Sequence, residues 1–262
     1  MVRRPVIGAL RAARRSWRTL VASGVLTAIV VFVAAVIGVG QTGPPPPGPP
    51  DPYAHTKYAI VWSDPAGLDL MSPEGTYVRA TVESGRVSAD NGDPAVAMPG
   101  FWDSLNTVAR GPLGTTWTDD EADDLRVGIV RYAIVDVIED GETLHVTVCE
   151  YDDQLGTRMQ SNNPDLDGRY QYWRGSGGVV QQLTINRAGA TAPPSGQSGP
   201  QTFGTTPVFG TWKTTDWDTT RTVFDPNPCR GRSLPEIVAD QHWYYTTEIP
   251  TAPSFPGWPV AL

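Results

Sequence analysis

The chain has 262 residues, 40% of them hydrophobic, and a formal net charge of −8, with 28 acidic against 20 basic residues. Such a surface repels phosphate, which argues against nucleic acid and against docking onto anionic lipid. The two cysteines lack the paired Cys or His spacing that a zinc site needs.

Residues 1–18 form a basic tail in which Arg3, Arg4, Arg11, Arg14, Arg15 and Arg18 stand without an acidic residue. The run 19–40, containing "LVASGVLTAIVVFVAAVIGVG" from Leu20 to Gly40, carries no charge at all. At about 1.5 Å per residue it spans a hydrocarbon core of about 30 Å, so it reads as a transmembrane helix with the lipid bilayer as its partner. Trp17 beside Arg14, Arg15 and Arg18 suits the membrane interface, and the positive-inside rule puts the N-terminus in the cytoplasm. The rival is a cleaved signal peptide, but the apolar run is long for one and "VIGVGQTG" is a poor small-x-small site. No cysteine follows it, which excludes a lipid-modified N-terminus.

Residues 41–52, "QTGPPPPGPPDP", favour polyproline II and act as a semi-rigid spacer. The remainder, 53–262, is long enough for one extracytoplasmic α+β domain and shows no internal repeat. Its first helix starts at Ser72, an N-cap before Pro73 and Glu74, and stops at Gly92. Tyr77, Val78, Thr81, Val82, Gly85 and Ala89 make one stripe facing a core, while Arg79, Glu83, Arg86 and Asp90 point elsewhere. Asp93-Pro94 opens a shorter helical turn that Pro99-Gly100 breaks, with Phe101, Trp102 and Leu105 as packing residues.

After the acidic run Asp119 to Asp124 the pattern changes to strands. Asp140-Gly141 between two alternating apolar runs is a hairpin signal. A two-residue turn there sets Glu139 opposite Glu142, Val137 opposite Leu144, Val135 opposite Val146, Ala133 opposite Val148, and Arg131 opposite Glu150. The other face then pairs Asp136 with His145 and Tyr132 with Cys149. Further strands are expected in Gly168 to Arg174, Val179 to Arg187 and Val208 to Trp217. Residues 189–206 read as a flexible loop, too polar and too rich in Gly and Pro to pack. The tail from Trp243 (243 onward) alternates aromatics and prolines and wraps over the domain surface or serves as a partner-binding strip.

An even cysteine count outside the membrane points to a Cys149–Cys229 disulfide. The acid/base candidates are Asp136 and His145, since a carboxylate beside an imidazole can orient it as a general base. The competing reading is a cross-strand pair of purely structural role. "NPDLDG" from Asn163 to Gly168 imitates half of a calcium loop, but Arg174 stands where the bidentate Glu belongs, which leaves an Asx-rich turn. No phosphate-binding, nucleophile-elbow, zincin or Rossmann pattern occurs, and no metal or cofactor is expected.

Helices first and a long antiparallel hairpin after them describe an α+β fold with helices packed on a curved antiparallel sheet. The segments "SPEGTYVRATVESG", "MPGFWDSL" and "GETLHVTVCEYD" resemble single-span cell-envelope proteins with a cystatin-like cone, of the nuclear transport factor two and SnoaL-like superfamily. The resemblance implies a membrane-anchored binding or scaffold protein that is non-catalytic and engages a protein partner. The alternatives are a small-ligand carrier or cavity enzyme using Asp136 and His145, and a scaffold subunit of a conjugative or type IV-like secretion machine.

Overall fold

The computed structural model describes residues 51–111, 113, 124–174, 178–219, 227–229 and 242–260, all within one compact unit, Asp51–Leu262. Its first strand, β1 (Thr56–Ser63), is one that the sequence reading passed over. Thr56, Tyr58, Ile60 and Trp62 point inward and alternate with more exposed residues, as expected of a half-buried strand. The chain then turns into α1 (Pro73–Asn91), capped as anticipated. Ser72 accepts from the Gly75 N–H, and Gly92 takes the left-handed conformation that closes the last turn. A 3-10 turn (Pro94–Val96) and two single-turn helices, α2 (Phe101–Ser104) and α3 (Thr107–Arg110), follow.

Two long strands, β2 (Arg126–Asp140) and β3 (Thr143–Arg158), form the spine of the sheet. β1 runs parallel to β2, with α1 inside the crossover, and β2 pairs antiparallel with β3. The far edge of β3 is shared. Residues 143–150 pair with β5 (Val179–Asn186), which continues to β6 (Lys213–Asp218). Residues 156–158 pair with β4 (Tyr170–Arg174), which continues to β7 (His242–Thr246). The sheet therefore forks at β3 into two arms.

The expected fold class is corrected on two counts. The described residues are 38% strand and 18% helix, so the molecule is mainly sheet with one long helix, not a set of helices layered on a sheet. Among them no helix is long and apolar enough to cross a membrane. α1 has the length but carries Arg79, Glu83, Arg86 and Asp90. Against the expectation of a transmembrane anchor and a membrane localisation, no such helix is found among the described residues. The run 19–40 and Arg14, Arg15, Trp17 and Arg18 lie outside the described residues, as does the acidic run up to Asp123.

The hairpin register also differs from expectation. Asp140 pairs with Thr143, so Gly141 and Glu142 form the turn, with Gly141 at φ 59°. A shift of two residues preserves which residues share a face, because side chains alternate with period two. A β-bulge between Ile134 and Asp136 does not preserve it. Beyond the bulge Ile134, Tyr132 and Val130 join Leu144, Val146 and Val148 in the main core, while Ala133 and Val135 turn to the opposite face.

That opposite face carries a small second core of Ala133, Val135, Tyr151 and Val180 around the Cys149–Cys229 disulfide, which joins residues 80 apart in sequence. The segment 189–206 has no regular structure, yet Phe203 is buried and stacks on Tyr53. The tail closes the open edge of β1: the Phe255 N–H donates to Ile60 O and its carbonyl accepts from the Trp62 N–H, both at 2.9 Å. Trp258 is 1% exposed. Asn106 covers β6 in the same way, its N–H donating to Thr214 O and its side-chain amide to Thr215 O.

Candidate functional site

Charged groups that lie off the expected helical stripe, Arg79, Glu83 and Asp90 among them, are buried. Arg79 donates to the carbonyls of Leu70, Gln197 and Gly257 and lies 4.4 Å from the Trp258 ring centroid. Glu83 accepts from the indole N–H groups of Trp62 at 2.8 Å and Trp258 at 2.5 Å. Burial pushes its carboxyl up to about 7, against the lowering pull of Arg79 and the two indoles. One helical turn on, Arg86 pairs with Asp90 at 2.7 Å and with Glu150. Tyr58 donates to Asp90, Gln181 to Glu150, and Trp217 to Gln181. Burial raises the Glu150 carboxyl, with Arg86 opposing. The carboxylates here each accept from buried donors, which is how buried charge is tolerated, while Arg79 Nε is left without a hydrogen bond.

The other face of the sheet is different. Here the register places side chains from four strands in two rows: Asp136, Thr147, Gln182 and Asp218 in one, and Ile138, His145, Thr184 and Asp216 in the next. Together they line a cleft of about 350 Å³. The hairpin register, unbroken from Asp140 back to Asp136, is what turns Asp136 toward it. Strands lie about 4.8 Å apart, so Asp136 and Asp218 stand about 14 Å from each other across the cleft, with Thr147 and Gln182 between them.

Asp136 and His145, expected to face each other directly, are diagonal neighbours instead. Asp136 is opposite Thr147 and His145 is opposite Ile138. The His145 imidazole Nδ1 meets Thr184 Oγ1 at 3.2 Å. Both candidates therefore share one cleft, with the His145 imidazole held by Thr184 and not by Asp136. Thr147 is only 9% exposed, and neither its hydroxyl nor the Gln182 amide has a hydrogen-bond partner among the described residues.

Gln182, Thr184, Asp216 and Asp218 were missed by the sequence reading. The signal was available as the outward-facing alternate positions of "VVQQLTIN" and "KTTDWD", but it needed the partner register to be read. No group of His, Cys, Asp and Glu arranged to hold a metal ion occurs among the described residues. At Asn163 the carboxamide accepts from the Asp165 N–H, an Asx turn.

A second cleft of about 510 Å³ opens where Tyr53, Tyr58 and Phe203 meet the tail at Pro250 to Ser254. It is shallower, and its charged residues Asp51 and Lys57 pair with each other at 2.5 Å. Comparison with protein-family models, curated proteins and solved structures finds no match.

Proposed function

We propose that this chain is a non-catalytic binding module that engages a protein partner through the outer face of its sheet. The observation that carries the reading is the contrast between the two faces. Under α1 the carboxylates of Glu83, Asp90 and Glu150 are all engaged by buried donors, whereas the outer cleft presents the side chains of Asp136, Thr147, Gln182 and Asp216 to solvent without protein partners among the described residues. Unspent hydrogen-bonding groups in a concave site are what a partner can use. The disulfide suits such a role in an oxidising environment, where it forms and persists.

The test is affinity capture with the full chain, comparing Ile138→Lys, inside the cleft, with Val108→Lys on α3. Both residues are exposed, at 55% and 64%, so neither change disturbs packing. A discrete protein lost with Ile138→Lys and retained with Val108→Lys supports the reading. Equal capture by both variants contradicts it.

A small-ligand carrier or cavity enzyme is the second reading, favoured by the presence of Asp136 and His145 in one cleft. Under it, Asp136→Asn and His145→Ala abolish ligand uptake or turnover and leave captured proteins unchanged.

A further inference from the structure

We infer that the outer cleft recognises a basic, extended peptide segment of the partner, with two cationic side chains about four residues apart; this rests on the binding reading above. The charged walls set the sign. Asp136 stands on one side and Asp216 on the other, so an anionic ligand is repelled and a cation is attracted from either end. The floor sets the class of molecule. Gln182 offers one amide carbonyl and one N–H donor pair, and Thr147 a hydroxyl that both donates and accepts.

A simple polyamine brings donors only and leaves the Gln182 amide N–H and the Thr147 O–H without an acceptor. A peptide backbone brings carbonyls and N–H groups together and satisfies both. Thr147 is 9% exposed, lines the cleft and has no protein partner among the described residues, so its hydroxyl is left for a ligand that both donates and accepts.

The spacing follows from the sheet. Asp136 on β2 and Asp216 on β6 lie three strand separations apart, about 14 Å across the strands. An extended peptide advances about 3.4 Å per residue, so cationic side chains at i and i+4 reach both walls at once. The exposed Ile138 beside the second row gives the aliphatic stem of an arginine a surface to lie on.

The experiment titrates the full-length chain with three probes while following backbone amide shifts of Asp136, Thr147, Gln182 and Thr184. The probes are the capped peptides Arg-Gly-Ser-Gly-Arg and Glu-Gly-Ser-Gly-Glu, and spermidine. The expected result is saturable perturbation by the arginine peptide alone. Affinity should fall about tenfold in the Asp136→Asn/Asp216→Asn variant and on raising salt. The salt arm is read on the unmodified chain, so it stands even where a variant misfolds. Spermidine binding as tightly as the arginine peptide overturns the peptide assignment. Perturbation of the same amides by the glutamate peptide overturns the charge assignment and leaves the binding reading in place. Silence of all three probes overturns the inference, and the capture experiment with Ile138→Lys then decides separately whether the binding reading survives.

Discussion

Arg79 and Glu83 carry the most information per side chain in this molecule. A helical stripe places them off the core-facing side, yet they are buried because α1 is covered twice, by the sheet and by the 189–206 segment and tail. Arg79 crosslinks three stretches of chain through their carbonyls, so Arg79→Met leaves those acceptors and Glu83 without their cation. We expect a loss of about 3–5 kcal/mol in urea unfolding, with new proteolytic cleavage near Gln197 and Gly257. Glu83 gives a pH signature. Its carboxyl is raised by burial to about 7 from an ordinary 4.5, so folding favours the protonated form. The contribution is complete below about pH 4.5 and is lost as pH rises through about 7. Wild-type unfolding free energy should fall by at most about 3 kcal/mol across that window through this group. Glu83→Gln should differ from wild type by an offset that changes over the same window; a constant offset from pH 4 to 8 would contradict the assignment.

Among the elements, α1 and its caps, the 3-10 turn at Asp93 and the existence of the β2–β3 hairpin could be read from local chemistry. Ser72, Gly92, Asp93 and Gly141 each act on a neighbour only a few residues away. What escaped the reading depends on distant partners. The bulge at Val135 follows from packing Ile134 under α1 and Val135 beside the disulfide, two demands that no window of β2 contains. β1 was readable from the alternation of Tyr58, Ile60 and Trp62, but its place was not, because a parallel partner comes some seventy residues later. Its cleft-forming neighbours suffered likewise: Asp136 and His145 could be named from the hairpin alone, whereas Asp216 and Asp218 reach them only through β5. One close contact is directly testable. A Cβ on Gly85 would enter the Trp217 indole, so Gly85→Val should destabilise by about 1–3 kcal/mol. Adding Trp217→Leu should recover part of that loss in the double mutant, a coupling that denaturant melts can read.

The molecule as a whole is a forked sheet whose inner face is committed to its own helix and whose outer face is divided between a disulfide-centred core and a polar cleft. Loop entropy for a crosslink spanning 80 residues is worth about 4–5 kcal/mol. Reduction, or Cys149→Ala with Cys229→Ala, should lower the denaturant midpoint accordingly while the main core, built apart from it, keeps its helix signal in circular dichroism. The division of faces also determines where a partner can sit. The most direct measurement places a photo-activated crosslinking residue at Ile138, inside the cleft, and at Val108, away from it, in the full-length chain. The account predicts a discrete protein adduct from position 138 that the arginine peptide competes away, and none from position 108. Adducts of equal yield and identity from both positions, or none from 138, would contradict it.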